Sequence, residues 1–183
     1  MTKIPNNLKA EVEKWRTYKR ERPAHIEIPD PGQESVWDYP RPPALVNSDA
    51  LVEVWSGGLR LARSSACLRV LETASPPTYY LPSQDVDWTL LVRTTGSSYC
   101  EWKGVATYWA LASDLAAGGV AWSYGSPNEC FAAIDGCISF YPARLDCRVN
   151  SEQVKPQPGG FYGGWVTQSV AGPFKGEPGT GHW

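Results

Sequence analysis

Between Tyr99 and Trp109 the chain reads Tyr-Cys-Glu-Trp-Lys-Gly-Val-Ala-Thr-Tyr-Trp, which puts a thiol (Cys100), an amine (Lys103) and a glycine (Gly104) close together. An ammonium at Lys103 can hold a phosphate or carboxylate as a point charge, with Gly104 letting a ligand approach the backbone. The same cation beside Cys100 would favour the thiolate, the nucleophilic form. Each residue also has a plainer reading. Lys103 can pair with Glu72 or Glu101, and Cys100 can fill space as a small apolar group. A cysteine enzyme usually adds a base, and the histidines, His25 and His182, fall outside the β region. That favours the inert thiol, and Cys67, Cys130, Cys137 and Cys147 are read the same way.

Glu72 follows Leu-Arg-Val-Leu and enters an apolar neighbourhood, where a carboxylate must pair or become neutral. Arg63, Arg69 and Lys103 are the candidate partners. A general acid or base is one outcome, and a structural Glu–Arg pair is the favoured one. Tyr80, Tyr108, Trp109, Trp122 and Tyr124 offer ring faces and hydroxyls to a flat or cationic ligand. Strand alternation must send some of them into the core, and the reading assigns Tyr80, Tyr108 and Trp122 to a pocket and Trp109 to the core. The nucleotide reading is weak, because a phosphate loop ends in Gly-Lys-Ser/Thr and here the order is Lys-Gly.

The elements that must position these groups are mostly strands. Val105, Thr107 and Trp109 alternate against Ala106, Tyr108 and Ala110. Earlier, Leu51 to Trp55 and Leu59 to Arg63 alternate on either side of Gly57-Gly58, a hairpin signal. Cys67 to Glu72 fits a strand or a short helix. Thr78 to Leu81 and Trp88 to Arg93 read as strands, with Gly96 to Ser98 as a loop. Val120 to Tyr124 and Cys137 to Tyr141 follow, then a hairpin turning at Asn150-Ser151.

Residues 1–22 read as a basic amphipathic helical arm, with Leu8, Val12, Trp15 and Tyr18 on one face and seven basic against three acidic residues. Residues 23–44 form a proline-rich linker pinned by Trp37 and Tyr39. The β domain spans 45–155. Residues 156–183 are rich in glycine, proline and aromatics, support no regular element, and are expected to lie across the domain or a neighbour.

Composition sets the outer bounds. The 183 residues suffice for one domain with a real core, and a net charge of −2 gives no global attraction to nucleic acid or acidic membranes. Stacking of single-stranded nucleic acid needs a positive groove, so nucleic acid is not the expected partner. Five cysteines without a Cys-x-x-Cys pair give no usual zinc spacing, so neither metal nor cofactor is expected. With no apolar leader and no span-length apolar run, a cytoplasmic location with reduced thiols is the simplest expectation.

Several motifs together resemble the bacterial domain of unknown function 427 family. They are Trp37-Asp38-Tyr39-Pro40-Arg41-Pro42-Pro43, Ala62-Arg63-Ser64, Leu68 to Thr73, Pro76 to Pro82, Cys100 to Gly104, Tyr108-Trp109, Ala121 to Tyr124 and Ile138 to Tyr141. The resemblance spans about residues 35 to 183. It implies a small mainly β fold of the β-tent type, two antiparallel sheets with a pocket between them, and carries a nucleotidyltransferase label without an established reaction. It nominates Arg63, Glu72, Tyr80, Cys100, Lys103, Tyr108, Trp122 and Tyr124 as ligand-binding candidates. Gly125 departs from the proline many members have after Tyr124, which bears on the loop shape there. Some β-tent relatives hold zinc through Cys-x-x-Cys pairs, which this chain lacks.

The resulting expectation is a binding domain for a small, anionic or nucleotide-like molecule, fixed by a cluster of Lys103, Glu72 and Arg63. The alternatives are an enzyme on such a substrate using Lys103 with Cys100 or Glu72, and an interaction module without ligand. A homodimer is the expected assembly.

Overall fold

In the computed structural model, residues 6, 9–18 and 21–183 are described. A helix, α1 (Lys9–Thr17), lies in the predicted arm. Leu8 and the side chains of Val12 and Trp15 lie outside the described residues. Fifteen strands follow: β1 (Glu34–Ser35), β2 (Ala44–Ser48), β3 (Val52–Ser56), β4 (Leu59–Ser64), β5 (Cys67–Leu71), β6 (Thr78–Pro82), β7 (Leu91–Cys100) and β8 (Gly104–Leu111) come first. Then come β9 (Ala121–Ser123), β10 (Cys137–Phe140), β11 (Asp146–Val149), β12 (Glu152–Gln153), β13 (Lys155–Pro156), β14 (Trp165–Val166) and β15 (Val170–Ala171).

The protein is mainly β. A seven-stranded sheet has the order β2-β5-β6-β10-β9-β8-β7, and a four-stranded sheet the order β12-β11-β3-β4. The paired neighbours in both are antiparallel. Two-residue turns set the register of two hairpins. Gly57 (φ 54°) and Gly58 (φ 84°) join β3 to β4, while Asn150 (φ 49°) and Ser151 (φ 68°) join β11 to β12. Positive φ at both positions matches the right-handed twist of the strands they connect.

Three local expectations need correction. Trp88–Leu90 is a 3-10 turn, capped by the Asp87 carboxylate, which accepts from the Thr89 amide at 3.0 Å. The strand begins only at Leu91 and continues through Gly96 to Ser98, because β8 pairs with it on both sides of a register shift between Arg93 and Ser97. The Thr94 hydroxyl donates to the Tyr108 carbonyl at 3.2 Å across that shift. Finally, the segment after Pro156 contains β14 and β15, which exist because partners reach them: β13 pairs with β14 and β1 pairs in parallel with β15.

Alternation along the strands decides what each face of the large sheet touches. One face sends Cys67, Tyr79, Leu81, Ala121, Ile138 and Phe140 against Val52, Val54, Leu61 and Cys147 of the four-stranded sheet. The other sends Val70, Tyr80, Ala106, Trp122 and Cys137 into a separate cluster with Trp102, Tyr124, Phe131 and Ile134. Trp165, fully buried, donates through Nε1 to the Phe140 carbonyl at 3.0 Å and anchors the C-terminal segment on the core.

Candidate functional site

A cavity of about 460 Å³ lies on the second of those faces. Val70, Thr78, Tyr80, Ala106, Tyr108 and Trp122 form its floor. The C-terminal segment covers it with Gln157, Phe161, Tyr162, Gly163, Gly164 and Lys175. No residue of the four-stranded sheet lines it, so the expected pocket between two sheets is corrected. The inter-sheet space is filled by the aliphatic and aromatic side chains that alternate with the cavity residues. The hollow is the space between one sheet face and the tail.

The tail fits closely. At Gly163 a Cβ would stand 2.1 Å from Cη2 of Trp122, so only glycine permits this approach to the indole. Gln157 holds two passes of the segment together, accepting from the Gly164 amide at 3.1 Å and donating to the Lys175 carbonyl at 2.8 Å.

Cys100 and Lys103 enter from the hairpin of β7 and β8. Cys100 pairs with Gly104 at the end of the ladder, leaving Glu101-Trp102-Lys103 as the turn, and Gly104 closes it at φ 98°. Asn128 locks this turn, donating from Nδ2 to the Trp102 carbonyl at 2.7 Å and from its amide to the Lys103 carbonyl at 3.1 Å. The Lys103 ammonium lies 5.9 Å from the centre of the Tyr124 ring and 5.8 Å from that of Phe131. Among the described residues no carboxylate comes within ion-pair distance of it. Burial works against the ammonium, but the negative charge available at Cys100, Tyr80, Glu72 and Glu101 outweighs it and holds the pKa above the ordinary lysine value. Lys103 is therefore a cation at neutral pH.

The carboxylates are held by another group. Arg41 donates to Glu72, and it donates to Glu101 at 3.4 Å. Its guanidinium lies 5.3 Å from the centre of the Trp102 ring, with the side chain only 10% exposed. This corrects the partners expected for Glu72. Arg69 instead forks onto Glu34, donating at 3.1 and 2.6 Å. Arg63 lies on β4 with its Nε 3.5 Å from Glu53, on the four-stranded sheet and away from the cavity. Its place on the strand puts it outside the expected cluster with Lys103 and Glu72. The sequence reading missed Arg41, whose signal was its position in the Trp37–Pro43 motif.

The rings pack into one cluster. Trp122 Nε1 donates to the Tyr80 hydroxyl at 3.0 Å. The Tyr80 and Tyr124 ring centres lie 6.3 Å apart. Burial pushes Tyr80 up to about 12 and Tyr124 well above the usual phenol range. Tyr108 shares a hydrogen bond, 2.7 Å long, with the Ser98 hydroxyl. The Trp122 and Tyr141 rings lie 4.3 Å apart. Trp109, on the opposite face of β8, packs edge-on against Trp88 at 4.7 Å and donates to the Ser123 hydroxyl at 2.9 Å. Of the sequence-nominated residues, Glu72, Tyr80, Cys100, Lys103, Tyr108, Trp122 and Tyr124 all line this cavity, and Arg63 does not.

Among the described residues no cluster of His, Cys, Asp and Glu has the makings of a metal site. Nor, among the described residues, is any helix long and apolar enough to cross a membrane.

A mainly β domain whose large sheet carries a tail-covered, ring-lined cavity with cationic side chains in its wall is the class of protein that these features define. The chain belongs to the family described as a domain of unknown function (DUF427), whose model matches residues 44–151. That model is named for a nucleotidyltransferase, while its description assigns no function. No curated protein matches the chain.

Proposed function

We propose that the cavity binds a small anionic molecule with a flat or apolar body, its negative charge beside Lys103 and its body against the rings of Tyr80, Tyr108, Trp122 and Tyr124. The observation that carries this reading is the Lys103 ammonium, which lines a ring-walled cavity while Arg41 occupies the neighbouring carboxylates. A cation partly removed from water, with no carboxylate at ion-pair distance among the described residues, gains most from a ligand that brings an anion. A volume of about 460 Å³ suits a small metabolite or a mononucleotide. Tyrosine hydroxyls and Ser98 supply orientation.

The test is a thermal-shift screen of mononucleotides, aromatic carboxylates and their neutral counterparts. At a concentration about a hundredfold above Kd, a native-state ligand adds about 2.7 kcal/mol of stability. Anions are expected to raise Tm, their uncharged analogues to raise it less, and Lys103→Met to remove the difference. A screen in which no anion shifts the wild-type protein would refute the reading.

A further inference from the structure

The five thiols occupy very different surroundings. Cys67, Cys137 and Cys147 are buried, and burial pushes the thiol pKa of each upward, that of Cys67 to about 11. Cys130 is exposed on the outside. Cys100 is partly buried and is the one cysteine that lines the cavity. Two features distinguish it there. Lys103 stands on the same wall, fixed by the turn that Asn128 locks. The cavity gives a reagent access that the core cysteines lack.

We propose that Cys100 is a nucleophilic thiol which forms mixed disulfides with small carboxylate-bearing disulfides drawn into the cavity by Lys103. This rests on the reading that Lys103 receives anions. The step needs no histidine, because thiol–disulfide exchange requires only the thiolate and an accessible S–S bond. The Cys100 proton passes to solvent, and the Sγ lone pair attacks one sulfur of the disulfide. A new S–S bond forms as the old one breaks, and the second sulfur leaves as a thiolate with the bonding pair. The thiol is oxidised and the departing half of the reagent is reduced, so the disulfide itself is the oxidant. Lys103 holds the reagent's carboxylate beside the sulfur.

The experiment compares dithiobis-nitrobenzoate, which carries carboxylates, with neutral dipyridyl disulfide on the full-length protein. Peptide mass analysis follows adducts at Cys100, with exposed Cys130 as the internal reference. Cys100 is expected to favour the carboxylated reagent by about tenfold relative to Cys130, the lower end of electrostatic steering. Lys103→Gln should erase the preference without slowing the neutral reagent. Unreactive nitrobenzoate should protect Cys100 and spare Cys130 in the wild-type protein, a readout independent of any variant. The proposal is overturned if Cys100 reacts more slowly than Cys130 with both reagents, or if its preference survives Lys103→Gln. Nitrobenzoate that raises Tm through Lys103 while Cys100 stays silent would remove this inference and leave anion binding standing. Nitrobenzoate without shift or protection would remove both.

Discussion

The two faces of the seven-stranded sheet are built from alternate residues of the same strands, yet they have opposite characters. On one face Tyr79, Leu81, Ala121, Ile138 and Phe140 meet the four-stranded sheet in a dry, interdigitated core. On the other, Tyr80 and Trp122, each one position away from a core residue, surround a hollow with a cation, a thiol and hydroxyl groups. Tyr79 and Tyr80 make the contrast sharpest. The first stacks obliquely on buried Trp165 at 5.2 Å, and the second accepts from Trp122 and packs beside Tyr124 at 6.3 Å. Strand period rather than residue type assigns these roles, since both are tyrosines. Packing on the first face holds the fold, which leaves the second free to keep a cavity and polar groups.

Substitutions on the two faces should therefore separate stability from binding. Phe140→Ala, on the packed face, should cost about 3–5 kcal/mol through lost burial and a residual cavity. Its Tm should fall steeply in thermal denaturation while the rise in Tm caused by anions persists. Arg41→Met, at the cavity, should cost about 1–3 kcal/mol, because the ion pairs it loses join partly exposed carboxylates. It should also shrink the anion response, since the charges of Glu72 and Glu101 then act on Lys103 without the opposing charge of Arg41. The distinction between the faces fails if Arg41→Met leaves that response intact, or if Phe140→Ala abolishes it. Tyr80→Phe should have the smallest effect, about 1–2 kcal/mol, from the stranded Trp122 Nε1. This variant also changes the alkaline limb. Tyr80 is held at about 12 in the native state against an ordinary 10.0, so between these values the folded protein keeps a proton that the unfolded chain has lost. Stability contributed by this group is fully present below 10 and declines as pH rises through that window. Denaturant titrations across the range should show a shallower decline in the phenylalanine variant.

The sequence disclosed the parts governed by local chemistry. Gly57-Gly58 and Asn150-Ser151 marked their hairpins because backbone handedness is written in those residues. Alternation placed Trp109 and Tyr108 on different sides of β8. What escaped was set by distant contacts. Gly96 to Ser98 looks like a loop, and it is a strand only because β8 pairs beside it. Arg41 sits in a proline-rich segment, 31 residues from Glu72 and 60 from Glu101, with no periodicity to link them. Arg63 looked equivalent to the other basic residues until the split into two sheets carried it to Glu53. The pocket's position, against the tail and not between the sheets, depends on how residues 156–183 return across Trp122, and irregular backbone gives no pattern from which to foresee that path.

That return path divides authorship of the cavity. The family-matched stretch, residues 44–151, supplies the base and the Cys100–Lys103 wall, while Gln157, Phe161, Tyr162 and Lys175 in the roof come from beyond it. A chain could therefore keep the matched stretch unchanged and acquire a new selectivity by exchanging its ending alone, as one swaps a lid on a fixed vessel.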